Sequence, residues 1–240
     1  MKITIAHLYP DLLNLYGDTG NITALLYRMK KRGIEVDIKE ISAGEKPDFE
    51  SVDIVFVGGG SDKENKIVCE NMKSYADKLK TYVENGGTVL AVCGGFQIMG
   101  KSYKLGDETI DALGIVDITA DCSAERLIGD VVLKSDILNT EIVGFENHSG
   151  LMDIGTYTPL GKVVAGYGND GKSGYEGIVY KNLIGTYLHG PLLPKNPALA
   201  DYIISGAIKK RYGSCELEKL DDTLEIEAHD YIVKRFGSAQ

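Results

Sequence analysis

An α/β fold with a mostly parallel central sheet and β-hairpin additions in the second half is predicted by three observations. The first half alternates short apolar runs with segments of helical periodicity, a pattern typical of a parallel sheet covered on both faces. After about residue 105, glycines become frequent and apolar runs become short, which favours hairpins. The 240 residues, 43% of them hydrophobic, are enough for one sizeable core. We therefore predict a single domain over residues 1–240, with residues 214–240 as a C-terminal helical extension.

Each element of the first half follows from its own pattern. Apolar or alternating runs predict the strands, and Ile22, Leu25 and Met29 fall on one helical face. Gly33 follows that helix, and a glycine pair follows the next one, as expected at helix ends. The predicted elements are strands at residues 2–7, 34–38, 52–57 and 88–92, and helices at residues 21–32 and 65–85.

The second half is predicted to be β-rich and to end in two helices. Its apolar runs are bounded by glycine and polar turn residues. The last helix has a partly aligned apolar face, which either caps the domain or binds a partner. The predicted elements are strands at residues 128–133, 141–145, 162–166, 177–180 and 183–188, and helices at residues 197–212 and 225–236.

Charge and cysteine usage exclude several classes of function. The net charge of −9 and the absence of a strong basic patch argue against a nucleic-acid partner. The four cysteines form no C-x-x-C pair, so we expect no metal site and no dithiol redox centre. The N-terminus does not resemble a signal peptide, and no apolar run approaches the ~20 residues of a membrane helix. We expect a cytoplasmic protein with no cofactor and no membrane insertion.

Cys93 stands between an apolar strand and a helix start, in Val92-Cys93-Gly94-Gly95-Phe96. This position puts a thiol on a sharp turn, where the glycines remove Cβ atoms that would clash. The helix N-terminus favours the thiolate, and one of its N–H groups is well placed for an oxyanion. The pattern predicts a nucleophile, although a buried cysteine packed as a small hydrophobe would also fit it.

Two further strand ends complete a predicted site, because chemistry in an open α/β sheet gathers at the carboxyl ends of the strands. Gly58-Gly59-Gly60 follows one strand and lets the backbone approach a substrate closely. His189 follows another and supplies the base that a cysteine nucleophile needs near neutral pH.

The other three histidines are weaker candidates for that base. His148 lies at a strand-to-loop edge, where we favour a hydrogen-bonded loop organiser over a catalytic role. His7 ends the first predicted strand, but no other sequence feature supports a functional role for it. His229 lies in the polar C-terminal stretch.

Residues 166–173 match the phosphate-binding pattern G-x-x-x-x-G-K-[ST] without its structural context. A working phosphate loop opens a helix, because the helix N-terminus helps to hold the phosphates. Here the continuation is strand-like, and Asn169-Asp170-Gly171 is a hairpin turn signal. We therefore predict a hairpin and no nucleotide site.

Several sequence blocks together resemble the class I (triad-type) glutamine amidotransferases, in their cobyric acid synthase-like branch. Within that branch, Tyr16-Gly17-Asp18-Thr19-Gly20-Asn21 and residues 8–11 resemble the glutaminase subunits of lipid II isoglutaminyl synthases. The resemblance implies a three-layer, flavodoxin-like fold. The blocks shared with the wider branch are residues 92–97, 58–60, 187–190 and 146–150.

This resemblance implies glutamine hydrolysis through a thioester. Cys93 attacks the side-chain amide of L-glutamine, and His189 protonates the departing ammonia and later activates water. Arg126 aligns with a glutamine-binding arginine, and a guanidinium suits the α-carboxylate; an exposed surface arginine is the alternative. The backbone N–H groups implied to hold the oxyanion are those of Gly59, Gly60 and Gly94.

The resemblance also implies a partner. Ammonia would pass to a MurT-like ATP-dependent ligase subunit that amidates the α-carboxyl of D-glutamate in lipid II, for peptidoglycan synthesis. Three alternatives stay open: the glutaminase of another cytosolic synthase such as a cobyrinate-type amidotransferase, a catalytically inactive scaffolding member of the fold, and, more weakly, a cysteine peptidase.

One position departs from the family pattern. Many members carry a glutamate two residues after the catalytic histidine, but Pro191 stands there in this chain. We hypothesise that a partner residue or another local acid orients His189, which would make the chain alone a slow glutaminase.

Overall fold

The structure is a computed structural model that describes residues 1–236. Its strands are β1 (Lys2–Leu8), β2 (Glu35–Ile41), β3 (Ile54–Val57), β4 (Thr88–Val92), β5 (Ser102–Leu105), β6 (Glu108–Asp111), β7 (Thr119–Asp121), β8 (Leu127–Ser135), β9 (Thr140–His148), β10 (Leu151–Asp153), β11 (Gly161–Ala165), β12 (Tyr175–Glu176), β13 (Ile178–Tyr180) and β14 (Leu183–Thr186). Its α-helices are α1 (Thr19–Lys31), α2 (Asp62–Lys73), α3 (Ala76–Glu84), α4 (Gly94–Met99), α5 (Pro197–Tyr212) and α6 (Thr223–Phe236).

A six-stranded sheet in the order β13-β14-β4-β3-β1-β2 forms the centre of the fold. Every neighbouring pair is parallel except β13 with β14. Strands β3, β4 and β14 are buried along their whole length, as expected for a sheet covered on both faces. Helix α1 packs against α5, and α2 packs against α4. The predicted α/β fold class with a mostly parallel sheet is confirmed.

The single helix predicted over residues 65–85 is wrong, because α2 ends at Lys73 and α3 begins at Ala76. Between them, Tyr75 has φ −140° and ψ 17°, which lies outside the helical region. The Tyr75 ring is buried, and its hydroxyl is hydrogen-bonded to that of Tyr9 at 2.9 Å. Burial of an aromatic ring with a satisfied hydroxyl offsets the helical hydrogen bonds lost at the break.

The second half adds two four-stranded sheets, in the orders β10-β7-β5-β6 and β12-β11-β8-β9. Strands β8 and β9 form the longest hairpin, with Leu127 opposite His148. Residues 166–173 connect β11 to β12, which pair in antiparallel orientation, so the predicted hairpin in place of a phosphate loop is confirmed.

Helix α6 contacts β8 and β9. Its start is tied to the rest of the chain by Arg28, which is only 3% exposed and binds Asp201 and Asp222. Farther along, His229 Nδ1 donates to the carbonyl of Lys195 at 2.9 Å. Residues 237–240 of the predicted C-terminal extension lie outside the described residues. Within residues 1–236, none of the helices has both the length and the apolar character to span a bilayer.

Candidate active site

The carboxyl ends of three adjacent strands bring the predicted site residues together. Gly58 follows β3, Cys93 follows β4 and His189 lies three residues beyond β14. Their strands are neighbours in the sheet, with Val57 opposite Ala91 and Thr186 opposite Val92. The parallel register therefore ends these strands at one edge, as the sequence pattern predicted.

Cys93 occupies a strained turn between β4 and α4. Its φ of 51° and ψ of −109° are conformations that a non-glycine residue rarely adopts. The turn is held by Cys93 N–H, which donates to the Thr186 carbonyl at 2.8 Å. Gly95 packs against β3, where a Cβ would lie 2.6 Å from the Val57 carbonyl oxygen. The backbone contacts at this turn thus fix the thiol at the N-terminus of α4.

His189 is fully buried beside Cys93. Its backbone is held by β9, since His189 N–H donates to the Phe145 carbonyl at 2.7 Å. Neither ring nitrogen makes a hydrogen bond within residues 1–236. Burial lowers the pKa of His189, but the neighbouring Cys93 and Asp18 raise it by more, so the net pKa lies above that of free histidine. The two neighbours therefore favour the protonated, imidazolium form of His189.

Asp18 is the acidic group that the sequence analysis did not assign. Its fully buried side chain places Oδ1 3.5 Å from His189 Nδ1. Its other oxygen, Oδ2, accepts a hydrogen bond from Gly59 N–H at 2.8 Å. The carboxylate thus contacts both the histidine and the glycine strand end. The signal for Asp18 in the sequence was its place in the block of residues 16–21. That block resembles the glutaminase subunits and is not one of the blocks shared with the wider branch.

The three glycines predicted to hold an oxyanion are placed differently. Gly59 N–H is engaged by Asp18. Gly60 N–H makes no hydrogen bond within residues 1–236. Gly94 is the first residue of α4, where an N–H group has no helical partner. The N–H groups of Gly60 and Gly94 therefore have no protein acceptor within residues 1–236.

Gly59 lies next to both Cys93 and His189, and this close approach gives the first testable prediction. A Cβ at Gly59 would lie 3.0 Å from Cys93 Cβ and 3.1 Å from His189 Cε1. We expect Gly59→Ala to push these side chains apart and to lower kcat for glutamine hydrolysis by about 10²-fold, as a displacement of about 1 Å can do. Steady-state glutamate release measures this.

The matched control for that prediction is Gly129→Ala in β8. The nearest atom to a Cβ at Gly129 is Tyr167 Cε2 at 3.9 Å, an ordinary contact. We expect this variant to keep the wild-type rate. Equal rates for the two variants would contradict the proposed arrangement of the site.

His148 has the contacts of a loop organiser. It is buried, its Nδ1–H donates to the Gly150 carbonyl at 2.8 Å, and its ring stacks on Tyr187 with centroids 3.7 Å apart. Its Nε2 lies 3.6 Å from a carboxylate oxygen of Glu146. These contacts hold Tyr187, which leads into His189, against the end of β9 and the loop that follows it.

Glu176 anchors the segment that leads into His189. It is fully buried, its Oε1 accepts from Tyr187 N–H at 2.6 Å, and its Oε2 lies 2.9 Å from Thr186 Oγ1. Burial, together with the charge of Glu146, raises the pKa of Glu176 to about 8 against the opposing effect of its hydrogen bonds. Burial therefore favours the protonated, neutral form of Glu176 to a higher pH than in a free glutamate.

A pH-dependent stability follows from Glu176. The folded pKa of about 8 exceeds the ordinary value of 4.5, so the folded state keeps a proton that the unfolded state loses. This contribution to the free energy of unfolding is fully present below pH 4.5 and is lost as pH rises towards 8. In Glu176→Gln, a neutral amide keeps the hydrogen-bond pattern of the protonated carboxyl group but does not titrate. We expect this variant to gain stability over wild type from pH 5 to pH 8, as measured by urea unfolding.

Glu50→Gln is the control for that measurement, because Glu50 is exposed. Its stability relative to wild type should be the same at pH 5 and pH 8. A Glu176→Gln effect that does not change with pH would show that Glu176 is ionised in the folded protein and would contradict the prediction.

Arg126 is exposed and is connected to the site by side-chain hydrogen bonds. Its Nη1 donates to Asn147 Oδ1 at 3.0 Å, and Asn147 Nδ2 donates to Tyr16 Oη at 2.7 Å. The Tyr16 ring in turn meets the His189 ring edge-on, with centroids 5.0 Å apart. Arg126 is thus linked to the Cys93–His189 pair through two side chains.

Residues 1–236 hold no group of three side chains that could bind a metal ion.

Comparison with known proteins agrees with this geometry. Residues 4–197 match the model of the CobB/CobQ-like glutamine amidotransferase domain. The chain is 44% identical to the lipid II isoglutaminyl synthase (glutamine-hydrolyzing) subunit GatD of Staphylococcus aureus, over 98% of this chain and 96% of that protein. It is 38% identical to the subunit of that name from Streptococcus pneumoniae, over 96% of this chain and 90% of that protein.

A probable cobyric acid synthase of Methanococcus maripaludis is 34% identical, but the match covers only 63% of this chain and 32% of that protein. Two solved glutamine amidotransferase structures share the fold. One has a TM-score of 0.57 at 17% identity and covers 84% of this chain and 98% of its own. The other, from Thermotoga maritima, has a TM-score of 0.53 at 15% identity and covers 97% of this chain and 92% of its own. The matched domain and the full-length relatives together show that this chain belongs to the CobB/CobQ-like glutamine amidotransferase family.

Proposed function

We propose that the chain is a glutaminase subunit that hydrolyses L-glutamine to glutamate and ammonia and supplies the ammonia to an ATP-dependent ligase. The observation that carries this proposal is the strained Cys93 at a helix N-terminus, with His189 and Asp18 buried beside it. The near full-length similarity to two GatD subunits, which are named as glutamine-hydrolysing, supports it.

The proposed reaction begins with Cys93 as a thiolate, stabilised by the helix N-terminus and by the His189 imidazolium. The sulfur attacks the side-chain amide carbon of glutamine, and the carbonyl oxygen becomes an oxyanion held by the N–H groups of Gly60 and Gly94. When the tetrahedral intermediate collapses, the carbon–nitrogen bond breaks and His189 gives its proton to the leaving ammonia. A γ-glutamyl thioester remains on Cys93.

The second half of the proposed reaction hydrolyses the thioester. Neutral His189 takes a proton from water, which attacks the acyl carbon, and the Cys93 thiolate leaves as glutamate forms. Asp18 Oδ1, 3.5 Å from His189 Nδ1, stabilises the imidazolium and fixes the ring orientation in each half. Asp18 thereby takes the part of the glutamate that Pro191 replaces, so we propose that the chain alone contains a complete set of reacting groups.

The proposed partner is a MurT-like ATP-dependent ligase subunit, and the proposed acceptor is the α-carboxyl of D-glutamate in lipid II. The two GatD relatives support this acceptor, because their names specify lipid II. The cobyrinate-type alternative has less support, since the matching cobyric acid synthase aligns over only 32% of its length. We place the reaction in the cytoplasm, in a heterodimer with the ligase.

Amide transfer to the acceptor tests this proposal. The chain is mixed with the ligase subunit, ATP, lipid II and L-glutamine labelled with ¹⁵N in its side-chain amide. We expect ¹⁵N in the stem peptide of lipid II by mass spectrometry, and none when Cys93→Ala replaces the wild-type chain. A parallel reaction replaces lipid II with a cobyrinate-type acceptor, and label transfer only in that reaction would support the alternative synthase. Label transfer that persists with Cys93→Ala would contradict the proposed glutaminase.

A further inference from the structure

Asn147 connects the two ends of the proposed glutamine pocket. It lies in β9 and is half-buried. Its Oδ1 accepts from Arg126 Nη1 at 3.0 Å, and its backbone carbonyl accepts from that nitrogen at 3.4 Å. Its Nδ2 donates to Tyr16 Oη at 2.7 Å. Both polar ends of one amide side chain are therefore engaged, each by a different part of the site.

The contact with Arg126 orients a guanidinium. Two oxygens of Asn147 hold Nη1, while Nε and Nη2 make no hydrogen bond within residues 1–236. A carboxylate binds a guanidinium best through two parallel N–H groups in one plane. Asn147 thus fixes that plane and leaves an edge of Arg126 for the carboxylate of an amino-acid substrate.

The contact with Tyr16 holds an aromatic ring against the catalytic histidine. Tyr16 has φ 63° and ψ 18°, a left-handed conformation that is uncommon for a tyrosine and needs external contacts to persist. Its ring meets that of His189 edge-on, while the side chain stays 41% exposed at the mouth of the site. The hydrogen bond from Asn147 therefore restrains a ring that packs edge-on against the buried His189.

We propose that Asn147 is a positioning residue for glutamine hydrolysis, which orients Arg126 for the substrate α-carboxylate and holds Tyr16 against His189, beside Cys93. This inference rests on the proposed function. The Asn147 side chain then affects both the affinity for the α-carboxylate of the substrate and the access to Cys93 Sγ. The substrates it selects are amides that carry a free α-carboxylate.

Two measurements on the full chain test this proposal. Glutamate release gives KM and kcat, and the rate of Cys93 alkylation by iodoacetamide reports on access without requiring turnover. We expect Asn147→Ala to raise KM about tenfold, through the lost charge-assisted hydrogen bond, and to raise the alkylation rate at least about threefold. Arg126→Ala should raise KM alone, and Tyr16→Phe should raise the alkylation rate alone.

Coupling and rescue distinguish positioning from a general structural role. The double variant Asn147→Ala with Tyr16→Phe should have the same alkylation rate as Asn147→Ala alone, because both substitutions remove the same hydrogen bond. Asn147→Asp should restore the alkylation rate, since its carboxylate accepts from both Arg126 and the Tyr16 hydroxyl. The matched control, Asn182→Ala, loses a hydrogen bond to the Gly86 carbonyl outside the site and should leave KM and alkylation unchanged.

Asn147→Ala that matches Asn182→Ala in both measurements would overturn the proposal, as would additive effects of the Asn147 and Tyr16 substitutions. Failure of the proposed function gives a different result, namely glutamate release that persists in Cys93→Ala. In that case, the alkylation rates and their coupling still decide whether Asn147 holds Tyr16 in a position that limits access to Cys93.

Discussion

Cys93→Ala is expected to abolish glutamate release from L-glutamine, with the rate falling to the background of the assay. The substitution removes the atom that forms the thioester, and removal of a nucleophile from a catalytic set costs about 10⁶-fold in kcat. The residue is 8% exposed at a turn whose backbone is held by hydrogen bonds, so the variant should fold. Glutamate is measured by a coupled assay, and thermal unfolding verifies the fold.

Cys215→Ala is the matched control for that experiment. Cys215 is a free cysteine of intermediate burial in the segment between α5 and α6. This variant should keep the wild-type rate. Residual turnover in Cys93→Ala above background would assign the reaction to another group and would contradict the proposed mechanism.

Asp18→Asn is expected to give the second-largest loss, about 10²-fold or more in kcat, with KM changed only a few-fold. Asparagine can still accept from Gly59 N–H, so the strand end keeps its contact. It lacks the negative charge that helps to raise the pKa of His189. The proton then returns to the Cys93 sulfur, and less thiolate is present at neutral pH.

A change in the pH profile of Cys93 alkylation separates this cause from simple misfolding. The thiolate should appear at higher pH in Asp18→Asn than in wild type, and alkylation at pH 7 should slow. The control is Asp11→Asn, at an exposed aspartate in the loop between β1 and Asp18. This variant should change neither the pH profile of alkylation nor its rate at pH 7. An unchanged alkylation profile together with an unchanged kcat would show that Asp18 does not support His189.

Local sequence patterns were enough to predict the central sheet and to bring together the two side chains that we propose react. Cys93 and His189 each follow an apolar run next to glycine, and parallel strands carry such ends to one edge of the sheet. The break between α2 and α3 was not predictable in this way. It depends on the contact between Tyr75 and Tyr9, which lie 66 residues apart in sequence.

The rest of the site also depends on contacts that are distant in sequence. Asp18 lies 171 positions before His189 and reaches it only because β1 stands beside β3 in the sheet. The engagement of Gly59 N–H by that carboxylate could not be derived from a glycine-rich motif, which shows only that the backbone can approach closely. Asn147 lies in the block of residues 146–150 that resembles the wider branch, but the sequence does not show what it contacts. Its contact with Arg126 forms where β9 pairs with β8, and its contact with Tyr16 joins residues 131 positions apart.

The most direct test of the thioester at Cys93 is the partition of the acyl group between water and hydroxylamine. The full chain is incubated with L-glutamine and increasing hydroxylamine, and glutamate and γ-glutamyl hydroxamate are both quantified. A thioester on Cys93 predicts that hydroxamate forms at the expense of glutamate in the wild type and that Cys93→Ala forms neither product. Glutamate release with no hydroxamate at any concentration, or hydroxamate formed equally by Cys93→Ala, would contradict it.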